Sequence, residues 1–142
     1  MKTTTRAFLL ILTTLLLFVC QSVDAQTEEI SKLNNALLKA AVKGDALETE
    51  ALLQAGADVD AISNSGQTAL MYAVMRNHIE VVDLLLDAGA DVNAKIKSSG
   101  ATALMYATMH GYTEVMRLLL NAEADLDPSS TVLFRFRRIA DN

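Results

Sequence analysis

GQTALMYAVMRNHIEVVDLLLDAGADV, residues Gly66 to Val92, is the stretch that decides the fold. Moved forward by 34 positions it returns as GATALMYATMHGYTEVMRLLLNAEADL, Gly100 to Leu126, with 16 identities over the 27 aligned positions. Moved back by 33, its end returns as Leu52-Leu53-Gln54-Ala55-Gly56-Ala57-Asp58-Val59. A period in the low thirties marks a supersecondary unit repeated along the chain and stacked on its copies.

Within the central unit the local signals are consistent. Thr68 stands where a helix N-cap is needed, its hydroxyl able to accept from a backbone N–H one turn in. Ala69 to Arg76 reads as a short helix with Leu70, Ala73 and Val74 facing inward, and Asn77-His78 as a turn. Ile79 to Ala88 reads as a second helix carrying Val81, Val82, Leu84, Leu85 and Leu86, stopped by Gly89. An extended loop then runs from Asp91 to Gly100. Upstream, Ile30, Leu33, Leu37, Ala40 and Ala41 follow helical spacing up to Gly44, after a short frayed start at Gln26 to Glu29. A second helix follows over Ala46 to Ala55. A two-helix hairpin of this length buries one face only, so neighbours on both sides are required. The repeated small residues Ala73 and Ala107 let adjacent helices approach closely.

These residues resemble ankyrin repeats. Gly66, Thr68, Leu70 and Ala73 match the start of that unit, His78, Glu80, Val81 and Val82 its middle, and Leu84 to Leu86 with Gly89 to Asn93 its end. The resemblance implies an all-α solenoid of stacked helix-turn-helix units with protruding β-hairpin-like loops. It covers about Lys32 to Asp127, with repeats at about 32–62, 63–96 and 97–127, and an irregular tail at 128–142. Departures are specific. Ala69 and Ala103 replace the family's proline, and Met71 and Met105 its histidine. The loop Lys95-Ile96-Lys97-Ser98-Ser99 is one residue longer than the loop before it. Glu123 takes the place of Gly56 and Gly89, so the third unit is expected to end irregularly. The tail, Pro128 onward, matches no unit and reads as a truncation or an improvised cap.

The first 25 residues stand apart from the repeats. Lys2 and Arg6 precede a continuous run of apolar residues and threonines, Ala7 to Val19, and Val23-Asp24-Ala25 has the small-residue pattern of a cleavage site. That is the layout of a secretory signal peptide. The run of 13 residues is short of the ~20 that span a bilayer, so the expectation is a periplasmic or secreted protein cleaved near Ala25, with no stable membrane span in the mature chain. Bulky Leu17, Phe18 and Val19 argue against lipidation of Cys20. The chain from Gln26 onward has no cysteine, so an oxidising compartment would offer it no disulfide.

The remaining chain carries 10 basic and 16 acidic side chains, and Gln26 to Asp127 carries 7 and 15. An acidic body argues against nucleic acid, whose affinity depends on neutralising phosphates. Catalytic material is sparse: His78 and His110 are the only histidines, and no nucleophile elbow, phosphate loop or His-Glu-x-x-His occurs. His78 takes the family's turn position, where it is expected to organise backbone hydrogen bonds, whereas His110 lies just before the turn and is expected to be exposed. Asp58 and Asp60 read as solvated surface. No enzyme activity and no cofactor are expected.

In ankyrin proteins the loop tips and the exposed end of each first helix contact protein partners. Carried to this chain, the resemblance implies a surface of Lys39, Val42 and Lys43, then Ile62, Asn64, Ser65 and Gln67, then Tyr72, Met75 and Arg76. It continues with Lys95, Ser98, Ser99 and Ala101 and ends with Tyr106, Met109 and His110. Aromatic residues, Met and Arg are favoured at protein interfaces. Two other readings stay open: a metal-binding or oxidative-stress accessory protein using the soft thioethers of Met75 and Met109 with His110, and a fragment of a longer ankyrin array.

Overall fold

The computed structural model describes residues 2–122, with side chains described for 7–20 and 25–122. Six helices follow in order: α1 Lys2–Lys43, α2 Ala46–Gln54, α3 Ala69–Met75, α4 Ile79–Asp87, α5 Ala103–His110 and α6 Thr113–Asn121. The chain divides into two compact units, Met1–Lys32 and Leu33–Asn142.

In the first unit the described side chains are all exposed, Phe8 to Leu12 and Leu15 to Val19 among them. The apolar part of α1 is long and apolar enough to cross a membrane, more so than the 13-residue run suggests, and a signal sequence passes the same test. The expected frayed start at Gln26 to Glu29 is helical instead. Neither Gly nor Pro occurs between Lys2 and Lys43, so nothing in the sequence breaks the helix there.

The second unit is a stack of helix pairs. The N-caps at Thr68 and Thr102 form as the sequence requires, each hydroxyl accepting from the backbone N–H three residues on, at 3.3 Å for both Met71 and Met105. Asp45 caps α2 in the same way, its carboxylate accepting from Glu48 N–H at 3.0 Å. Leu37, Leu70, Leu85, Val81, Val82, Met116 and Leu119 are fully buried in one continuous core running through all three units. α3 packs on both α4 and α5, and α4 on both α2 and α6, so the central pair is covered on two sides. Thr49 and Thr108, the buried hydroxyls within helices, donate to the carbonyls of Asp45 and Leu104 one turn back, at 2.7 and 2.8 Å.

The turn inside each unit has a requirement that the repeats meet in two ways. Gly44, Asn77 and Gly111 occupy equivalent positions and all have positive φ, +79°, +57° and +74°. Asparagine is one of the few L-residues that tolerate this region. The residue after each of them donates its N–H to the carbonyl five residues back: Asp45 to Ala40, His78 to Ala73 and Tyr112 to Ala107. The loops between units are hairpin-like only at their necks. Among the described residues the antiparallel pairing is a single bridge, Ile62 with Thr68, closed by Ser63 N–H donating to the Gln67 carbonyl at 2.9 Å. In the next loop Ile96 N–H donates to the Ala101 carbonyl at 3.0 Å. The expected irregular end at Glu123 and the tail lie outside the described residues.

Candidate protein-interaction surface

The first helices of the three units place equivalent residues in rows. One row is Lys39, Tyr72 and Tyr106; a second is Val42, Met75 and Met109; a third is Lys43, Arg76 and His110. Lys39, Lys43, Arg76, Met109 and His110 are exposed, while Val42, Tyr72, Met75 and Tyr106 are half-buried. An open pocket of about 330 Å³ brings together Leu38, Lys39, Val42, Lys43, Ser63 and Tyr72. Four of these six, Lys39, Val42, Lys43 and Tyr72, are among the positions that the resemblance implies. Leu38 and Ser63 are not; Leu38 is almost fully buried, and Ser63 is replaced by Lys97 in the next unit.

A hydrogen-bond network holds the middle of this surface. The Tyr72 hydroxyl donates to Ser63 Oγ at 3.1 Å and lies 3.1 Å from Ser65 Oγ. The two serine hydroxyls are 2.8 Å apart, and Ser65 donates to Gln67 Oε1 at 3.1 Å. Gln67 in turn donates from Nε2 to the Met75 sulfur at 3.5 Å and from its backbone N–H to Ser63 Oγ at 3.2 Å. The loop tip is therefore tied to α3 through side chains at both of its ends. The same position in the third unit lacks these partners, since Lys97 and Ala101 replace Ser63 and Gln67. There the loop is closed by its own backbone, with Gly100 N–H donating to the Ile96 carbonyl at 2.7 Å, and Ala101 N–H donates to Ser99 Oγ at 3.3 Å. Asn64, Ile62, Lys95 and Ser98 are exposed on the two loops.

The histidines serve different ends. His78 Nε2 lies 3.1 Å from the Val42 carbonyl oxygen, which can only accept, so this nitrogen carries the proton. The bond spans two units and satisfies a carbonyl in the last turn of α1. His110 stacks on Tyr112, with ring centroids 5.4 Å apart and planes 18° from parallel. Among the described residues no group of three or more His, Cys, Asp or Glu side chains is placed to hold a metal ion.

The aspartates first read as plain solvated surface have a structural task. Asn34 Oδ1 accepts from Asp58 N–H at 2.8 Å, Asp58 from Asp60 N–H at 3.0 Å, Asp60 from Asp91 N–H at 2.8 Å, and Asp91 from Asn93 N–H at 2.9 Å. Two of these four bonds join one repeat to the next or to the helix before it. The carboxylates remain exposed, which is why composition alone assigns them to solvent.

Stacked helix pairs, a continuous core and a solvent-facing set of Tyr72, Met75, Tyr106 and Met109 define a helical-repeat scaffold. The comparisons with known proteins specify which. A family model described as ankyrin repeats (three copies) matches residues 9–96, and one for a single ankyrin repeat matches 99–130. The chain belongs to the ankyrin-repeat family, whose repeats are protein–protein interaction modules and are generally non-catalytic.

Similar proteins include a putative ankyrin repeat protein of Coxiella burnetii, 46% identical over 61 residues, which are 43% of this chain and 18% of that protein. The ARF GTPase-activating protein Git of Drosophila melanogaster is 40% identical over 85 residues, 60% of this chain and 12% of that protein. The human mitochondrial disaggregase is 42% identical over 71 residues, 50% and 10%. The chain thus spans less than a fifth of each of these relatives, and the likeness lies in the repeats.

Proposed function

We propose that this chain is an exported ankyrin-repeat module that binds a partner protein through the concave face formed by the first helices and loop tips. The observation that carries the reading is the repeated row of Tyr72, Met75, Tyr106 and Met109, side chains that remain at least partly accessible at equivalent positions of two consecutive units. Such residues contribute large contact areas at interfaces. The partner side is a protein, with no nucleic acid and no cofactor.

Alanine at Tyr72, Met75, Tyr106 and Met109 together is expected to abolish capture of protein from the native envelope fraction, with the far-UV circular dichroism unchanged. Because the Tyr72 hydroxyl also ties down the loop, a Tyr72→Phe variant serves as the control; it keeps the ring and is expected to keep most of the capture. Capture by the quadruple variant at parental level would sink the concave-face assignment.

Export is supported by Lys2 and Arg6 ahead of the apolar run and by Val23-Asp24-Ala25. Expression in a bacterial host is expected to release a periplasmic form whose intact mass corresponds to Gln26–Asn142. A full-length mass confined to the membrane fraction would replace cleavage with anchoring by α1.

A further inference from the structure

We infer that the pocket between the first and second repeats takes an apolar side chain from an acidic peptide segment of the partner. The inference rests on the concave-face reading and adds the chemistry of what that face recognises.

Leu38 is almost fully buried at 8% exposure and Val42 is half-buried, so the two supply an apolar floor. The Tyr72 ring supplies a wall, and its hydroxyl, held by Ser63 and Ser65, fixes where that wall stands. At about 330 Å³ the space is at the lower end of small-molecule sites and suits one or two side chains. The rim is cationic. Lys39 and Lys43 lie one helical turn apart, both are exposed, and neither makes an ion pair among the described residues. Both line the pocket, and lysine stems add apolar surface to such a rim while their charged heads stay hydrated.

Charge complementarity selects the occupant. Gln26 to Asp127 holds 15 acidic against 7 basic residues, so a carboxylate is repelled by most of this body and attracted at the lysine pair. An apolar side chain flanked by Asp or Glu satisfies floor and rim together. A basic segment would instead meet two uncompensated ammonium groups.

The test is selection of a random dodecapeptide display library on the full chain, followed by titration of the synthetic consensus peptide. The expected consensus is one bulky apolar residue flanked by Asp or Glu. Its affinity is expected to fall at least about tenfold in the Lys39→Glu, Lys43→Glu double variant and to weaken with added salt, as charged rims do. Both lysines are exposed, so circular dichroism should be unchanged. A peptide with glycine in place of the apolar residue should not bind.

Selected peptides that lack acidic residues but need Tyr106 and Met109 would overturn this inference and leave the concave-face reading standing. Peptides indifferent to both pairs would overturn both. An acidic consensus that is insensitive to the lysine reversal, the absence of any enriched peptide, or self-association through the chain's own Asp58-Val59-Asp60 in place of peptide binding would each overturn the inference.

Discussion

Alanine at Gly44 is expected to lower the melting temperature by more than about 10 °C, from two separate causes. The backbone φ of +79° costs an L-residue roughly 1–2 kcal/mol. The added Cβ would also lie 2.5 Å from His78 Nδ1 and 2.7 Å from its Cγ, well inside contact distance. That ring cannot swing aside freely, because its Nε2 is bonded to the Val42 carbonyl. Displacing it leaves that carbonyl short of a partner, a loss of roughly 1–3 kcal/mol. Each kcal/mol moves the midpoint of a domain this size by roughly 4–8 °C. Gly89→Ala supplies the comparison: φ is +84°, but nothing lies within 4 Å of the new methyl, so only the backbone cost applies. In a His78→Ala background the Gly44→Ala cost should shrink to the Gly89→Ala level. Equal losses at Gly44 and Gly89 in the parent would show that the histidine is not wedged there.

The second large effect follows from one position that the repeat visits three times. Leu52, Leu85 and Leu119 are equivalent in sequence, yet Leu85 and Leu119 are fully buried while Leu52 is half-buried. Leu85 sits on α4, which packs against α2, α3 and α6. Leu85→Ala is expected to cost about 2–5 kcal/mol, through lost burial and the cavity left behind. Set against a typical total of about 5–15 kcal/mol, this is a large share, and it falls on the pair that joins the other two. Leu52→Ala should cost distinctly less, and Leu47→Ala, at 80% exposure, should stay within about ±0.5 kcal/mol. Urea midpoints at constant slope provide the measurement. Equal costs at Leu52 and Leu85 would contradict the burial gradient.

The fold was legible because its signals are local or periodic. Thr68 announces a helix start, and Leu70, Ala73, Val74, Val81, Val82 and Leu85 keep helical spacing that only burial explains. The surface of Lys39, Val42, Lys43 and Tyr72 is legible only through the resemblance to ankyrin repeats, which names the positions that face a partner; the repeat register alone does not single them out. Contacts set by stacking were illegible. That His78 bonds a carbonyl 36 residues earlier depends on how two units meet, and neither unit states it alone. Asn77 hides a left-handed turn because its side chain also suits ordinary turns; its alignment with Gly44 and Gly111 was the available clue. Asp58 and Asp60 look like solvated charge because their partners are backbone N–H groups, which every sequence has. The continuous helix through Gln26 to Glu29 was missed because the break was inferred from a cleavage site, not from a helix breaker.

The bonds from Asp91 to Asp60 and from Asp58 to Asn34 also bear on how the stack meets tension. Both fasten a loop to the element before it, so a force that draws the end of the stack away loads them one after another. Between units the described core is joined mainly by apolar contact, which resists shear weakly and has no preferred direction. The aspartate links are directional and short. A pull from the third unit meets the Asp60 clasp before it reaches α2. Resistance along the stack is therefore uneven, concentrated where a loop is clasped to the element before it.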